Sequence, residues 1–316
     1  MIITLSLVSR GLSNNFYQMW LAVALFGIGG PLISVGVPKA SSLWKSQKKR
    51  TISMGILFTG PMFGGIVSLS TMNSILMPLL NSNWKLVYFF YSLIPFISGL
   101  IWLIIINNKP ILNIQKDAIL NISRSISEFK LIITKKRFLI ILILGTSAMF
   151  LVHGVPGWIP KILFSKGISI GLASLLATIP IVIGIISALT VPRFTNNDTR
   201  IKILALLFIN AAFSLLLLQS NNLIIFIIGL FFLGISTGSL IAIILNHLSE
   251  TKDISYNNIG IAGGLFFSII EIGGVLGPFF IGLIYDLYNN FNVALSLYAL
   301  LMFIMIFPLY ILKNKM

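Results

Sequence analysis

The chain has no cysteine, which excludes disulfides, thiol catalysis and cysteine-rich metal sites from its 316 residues. Acid is scarce as well: seven Asp and Glu stand against 22 Lys and Arg, and charged residues of all kinds make up 9%. So little charge, with 57% hydrophobic residues and a mean hydropathy of +1.01, does not fit a soluble domain and implies an integral multi-pass membrane protein. In a soluble protein the formal charge of +15 would raise nucleic acid as a partner. Here the basic residues sit in short gaps between apolar runs, where they orient helices and meet anionic headgroups. The expected partners are therefore the lipid bilayer of the cell membrane and a small-molecule solute, with no nucleic acid, no cofactor and a monomeric chain. His153 and His247 are too far apart in sequence and depth to imply a metal site. No phosphate-binding loop or nucleophile, base and acid set appears, so the chain is not expected to be an enzyme.

A helix needs roughly 20 apolar residues to cross the hydrocarbon core. Nine runs qualify as full spans: 17 to 38, 53 to 79, 86 to 107, 138 to 158, 171 to 192, 201 to 219, 223 to 246, 258 to 285 and 291 to 312. They are continuous and lack the alternation of barrel strands, so the expected fold class is an all-α membrane protein. Residues 1 to 9, MIITLSLVS, are apolar but too short to cross, and they lack the basic start and small-residue cleavage site of a signal peptide. They read as the second half of a helix, a partial span in a chain truncated at its N-terminus. A short interfacial or re-entrant segment is the alternative.

Lys and Arg collect in cytoplasmic loops. One set of gaps and ends holds Lys39, Lys45, Lys48, Lys49, Arg50, Lys109, Lys116, Arg124, Lys130, Lys135, Lys136, Arg137, Arg193, Arg200, Lys202, Lys252, Lys313 and Lys315. The other holds Arg10, Lys85, Lys161 and Lys166. Eighteen against four puts the C-terminus in the cytoplasm. The longest polar stretch, 108 to 137, is a basic cytoplasmic loop between an incomplete N-terminal bundle, 1 to 107, and a six-helix bundle, 138 to 316. Within it Ile119, Ile122, Ile126, Phe129 and Ile133 fall at helical spacing among Lys and Arg. That pattern suits a helix on an anionic membrane surface or a solvated linker helix.

The two bundles echo each other. Gly60-Pro61 followed by Gly64-Gly65 has a counterpart in Gly277-Pro278 followed by Gly282, and Gly27-Ile28-Gly29-Gly30 one in Gly234 to Gly238. Matched small residues and prolines are what a transporter built from structural repeats would show, because glycine permits close helix approach and proline loosens the ladder where a helix bends. At these residues the sequence resembles the major facilitator superfamily. Gly27 to Gly30, Pro38-Lys39 and the basic Lys45 to Arg50 look like its fourth helix and following loop. Gly60-Pro61-Met62-Phe63-Gly64-Gly65 is similar to its fifth-helix GPxxGG element, and Asn83-Trp84-Lys85 to the start of its sixth helix. Gly157-Trp158-Ile159-Pro160 with Lys166-Gly167-Ile168-Ser169 resembles the connection between the seventh and eighth helices in the anion:cation symporter and cyanate/nitrate-type branches. The resemblance implies a two-bundle fold lacking the first two helices. Val23 stands where many members carry an arginine.

Glu271 is the one acid inside a span. An ionised carboxylate there is costly, so it should face the bundle or a wet cavity. Gly264, Ser268, Glu271, Val275, Pro278 and Gly282 form a stripe at spacings of three and four, expected to point inward. Either Glu271 carries a coupling proton or a cationic group, or it is protonated and hydrogen-bonded to Ser268 or a neighbouring helix. His153, near the outer end of its span, is a second proton-coupling candidate or an interfacial anchor beside Trp158. Arg10, Asn73, Asn210 and Ser268 are substrate-path candidates, with interfacial seating for Arg10 and helix joining for the two asparagines as the alternatives. Gly60, Pro61, Gly64, Gly65, Gly277 and Pro278 are the packing and gating positions. The function expected is secondary transport of a small, possibly anionic solute by alternating access, with proton coupling through Glu271. A nonfunctional or helper fragment of a split or shortened transporter gene is the alternative. A membrane-embedded enzyme is remote, because it would need Asp, His or Ser clustered near one face.

Overall fold

Inside a bilayer every peptide group must be satisfied within the chain, and long Leu, Ile and Phe runs do this as helices. The computed structural model describes the backbone of residues 1–42, 60–107, 132–196, 198–249 and 259–313, and among these residues there are helices and turns but no strands. Two compact units are present, Met1–Ile119 and Leu120–Met316. Eight helices among the described residues are long and apolar enough to cross a membrane. The expected Lys45 to Arg50 loop, residues 53 to 59 of the second span, and Ile119, Ile122, Ile126 and Phe129 of the central stretch lie outside the described residues.

In the first unit, α1 (Ile2–Leu12) packs on α2 (Phe16–Ser42) and on α4 (Trp84–Asn107). The Ser6 hydroxyl donates to the Ala22 carbonyl at 2.6 Å, and Gly11 brings α1 against the Lys85 carbonyl and the Phe89 ring. Between α2 and α4 in chain order comes α3 (Gly60–Leu79), which widens into a π-helical turn over Met72–Leu76. A hydrogen bond between the Thr71 and Tyr91 hydroxyls, 2.8 Å, ties α3 to α4 just before that turn. Asn81 and Ser82 adopt left-handed backbone, and the Ser82 amide donates back to Met77 to close α3.

In the second unit, α5 (Lys136–Gly154) passes through a 3-10 turn (Pro156–Trp158) into α6 (Ile159–Ser165). Then follow α7 (Ile170–Leu176), α8 (Ile179–Thr190), α9 (Arg200–Leu217), α10 (Leu223–Ser249), α11 (Ile259–Tyr288), α12 (Phe291–Ile304) and α13 (Ile306–Lys313). The closest pairs are α5 with α11, α8 with α10 and α9 with α10. Glycine sets the first two. A β-carbon on Gly273 or Gly277 would strike the Thr146 or Phe150 carbonyl, and one on Gly238 would strike the Gly184 backbone. With lipid tails as apolar as the side chains, such backbone approach is what holds membrane helices together. Gly60 and Gly64 differ from Gly277: no described atom lies within 4 Å of a β-carbon placed on either.

Candidate transport site

The α5–α11 seam carries the main site. Gly145, Gly273, Gly274 and Gly277 remove the side chains that would hold the two helices apart. His153 in the last turn of α5 and Glu271 of α11 then meet at the margin of the contact, with His153 Nδ1 3.9 Å from Glu271 Oε2. That separation is an ion-pair distance, longer than a direct hydrogen bond. A β-carbon at Gly274 would stand 2.6 Å from Nδ1 and 2.8 Å from Oε2, so the bare glycine is what leaves room for both groups. The side chains are 46% and 51% exposed on this unit. A hydrocarbon-facing charge is costly, so this margin suits water, solute or protein better than acyl chains.

The expected stripe is thereby corrected in one respect. Gly264, Ser268, Glu271 and Val275 do not point into the core of their own bundle, where Phe266, Ile270, Gly273, Gly274, Gly277 and Ile281 sit instead. The reason is that glycines at 273 and 277 make the closer approach, turning the adjacent stripe outward. Nor does Ser268 hold Glu271: its hydroxyl donates to the Gly264 carbonyl at 2.9 Å.

Pro278, one turn beyond Gly274, lacks the N–H that would continue the ladder of α11. The helix is held there from two sides. Tyr298 of α12 donates to the Gly277 carbonyl at 2.6 Å, and Trp158 Nε1 donates to the Pro278 carbonyl at 3.1 Å. Tyr298 is fully buried and stacked on Phe150 at 4.5 Å.

The remaining candidates are dispersed. Asn210 uses its amide to donate to the Phe232 carbonyl and the Ser236 hydroxyl, both at 2.7 Å, and thus links α9 to α10. Asn73 lies inside the π turn of α3. In the first unit the Arg10 guanidinium lies 5.7 Å from the Phe26 ring centroid and 6.0 Å from that of Tyr88. Sequence reasoning missed a buried pair, Arg200 at the start of α9 and His247 at the end of α10, with 3.2 Å between Nη1 and Nδ1. Arginine can only donate, so Nδ1 accepts in this pose. The signal was available in the topology, because consecutive antiparallel helices bring the start of one beside the end of the next.

Residues 1–253 match the family model of the Major Facilitator Superfamily. The chain belongs to this superfamily. It is accordingly an all-α, multi-pass membrane transporter and not an enzyme. This major facilitator chain is 22% identical over 302 residues to the hexuronate transporter of Bacillus subtilis (strain 168), covering 90% of its own length and 70% of the relative's. Its fold is similar to that of the E. coli fucose:proton symporter, with a TM-score of 0.64 at 15% identity over 98% of this chain and 81% of the other. A human organic anion transporter gives a TM-score of 0.65 at 14% identity over 98% and 75%.

Proposed function

We propose that this major facilitator transporter carries a small carboxylate solute together with a proton by alternating access, with His153 and Glu271 as the proton-handling pair. The observation that carries the reading is the 3.9 Å approach of these two groups across the α5–α11 seam. The names of the similar proteins, a hexuronate transporter, a fucose:proton symporter and an organic anion transporter, support the solute class and the coupling. Chemically, the pair offers two competing states. With Glu271 ionised, a protonated His153 is neutralised by it and has little attraction left for a solute anion. When Glu271 takes up a proton the ion pair dissolves, and the imidazolium is free to face the incoming carboxylate. Release of the solute and loss of the proton restore the pair, so one proton and one negative charge move together.

Glu271→Gln keeps size and some hydrogen bonding but removes the exchangeable proton. In proteoliposomes, the variant should lose pH-gradient-driven accumulation of D-glucuronate while keeping exchange of labelled for unlabelled glucuronate, because exchange need not cycle the proton. Equal loss of both activities, or retention of both in a monodisperse sample, would remove Glu271 from the coupling step.

A further inference from the structure

Lys161 lies on α6, two turns beyond His153, and its ammonium is 4.8 Å from the Tyr285 ring centroid and 5.1 Å from that of Trp158. The two rings are themselves fixed. Trp158 is bonded through Nε1 to Pro278, Tyr285 stacks on Phe291 at 4.1 Å, and Phe291 also packs against Trp158 at 5.8 Å. Phe291 is buried at the start of α12, where the Asn290 side chain accepts from the Asn292 amide and sets the helix start. An exposed lysine ordinarily spreads over many rotamers, whereas this one is held over two rigid faces, and less entropy is lost when a partner binds.

Ring faces stabilise a cation without neutralising it. Among the described residues no carboxylate stands within ion-pair distance of Lys161, whose charge rests on ring faces alone. Lys166, one turn further along, is the contrast: it donates to the Gln219 carbonyl at 2.9 Å and to Asn221 Oδ1 at 3.1 Å, and burial lowers its pKa below the ordinary lysine value. Lys166 braces the turns between helices. Lys161 is left with its charge presented.

On α11 the positions 271, 275, 278, 282 and 285 succeed one another at spacings of four and three, so they run along one side of the helix. The segment from α5 to α6 follows that side: His153 meets Glu271, Trp158 meets Pro278 and lies against Gly282, and Lys161 meets Tyr285. Glu271 and Tyr285 are about 21 Å apart along the helix. A small solute cannot touch both ends at once. We infer that Lys161, Trp158 and Tyr285 form a separate outer docking subsite for a hydroxylated carboxylate, in which the ammonium takes the carboxylate and the rings take the apolar faces of the solute, before it reaches His153. This rests on the carboxylate-transport reading above. A membrane-interface lysine beside aromatic residues also suits an anionic lipid headgroup, and the experiment separates the two sources.

The full chain is placed in phosphatidylcholine nanodiscs and its tryptophan fluorescence titrated with D-glucuronate and, separately, with D-glucose. Glucuronate should give a saturable change that glucose does not, and Trp158→Phe should remove it. Lys161→Gln should move the midpoint upward about five- to ten-fold, the loss of one charged contact, while Lys161→Arg stays near wild type and shows that the site still folds. The shift caused by Lys161→Gln should be the same size in a Glu271→Gln background, so failure of proton coupling and failure of this subsite remain distinct. The subsite is overturned by no glucuronate response, by an equal response to glucose, or by an unshifted midpoint in Lys161→Gln. A change produced by phosphatidylglycerol in the disc, and not by glucuronate, would assign the lysine to the lipid and overturn it too.

Discussion

Tyr298 shows how much a single hydroxyl can matter beside a proline. Its O–H reaches across from α12 to the Gly277 carbonyl, next to the one position of α11 that lacks an amide hydrogen. Tyr298→Phe keeps the stack on Phe150 and removes only the bond, so a loss of about 1 kcal/mol is expected, read as a fall of a few degrees in the unfolding midpoint in detergent. An unchanged midpoint would mean that the Gly277 carbonyl is equally well served without it. The importance of Tyr298 could not be read from the sequence, where it is one aromatic among many in an apolar run. Glu271 was legible because a lone acid inside a span is chemically conspicuous. His153 was legible as a second candidate, but its approach to Glu271 was not, since that depends on how α5 lies against α11, and no local spacing encodes it. Lys161 was visible only as one of four cations counted to the outer side, and its seating on Trp158 and Tyr285 comes from the turn at Pro156–Trp158.

Among elements, glycine separates contacts that look alike in sequence. The Gly60-Pro61 and Gly277-Pro278 motifs read as equivalents, yet a β-carbon is blocked by backbone at Gly277 and meets no described atom at Gly60. Gly277→Ala and Gly238→Ala should each cost about 1 to 3 kcal/mol, because the obstructing atoms are backbone and cannot rotate away. Gly60→Ala should leave the unfolding midpoint of the detergent-solubilised protein within about a degree of wild type. If all three variants behaved alike, close backbone approach would not be what holds α5 to α11 and α8 to α10. Where the span ends are described, they were readable to within a few residues because length and hydropathy are bulk properties of a run. The π turn over Met72–Leu76 was not, since nothing in MNSIL distinguishes it from ordinary helix. It adds a residue to one turn, and so the faces of α3 before and after it do not follow one helical periodicity.

For the whole molecule, the absence of cysteine is an experimental advantage. Single cysteines introduced at Asp117 and Met316 meet no native thiol background. Both should react with a membrane-impermeant maleimide only after the cytoplasmic side is opened, and a cysteine at Lys166 should react from outside in intact cells. Labelling of Asp117→Cys or Met316→Cys from outside would reverse the orientation drawn from the basic loops. Membership of the superfamily was legible from Gly, Pro and Lys/Arg placement together. The solute was not, because recognition depends on a few side chains whose meeting is set by tertiary packing.

Gly274 has a consequence that belongs to descent instead of mechanics. Any glycine codon becomes an alanine codon by one base change, so alanine at this position must arise repeatedly in populations. Its single added carbon would crowd both His153 and Glu271, and a cell that depends on their partnership should lose such variants. Relatives that keep an acid and a histidine at the matching positions should therefore carry glycine between them, whereas lineages that have lost either group should drift to alanine or serine. An alignment in which alanine sits freely beside an intact pair would show that the two side chains are not selected to work together.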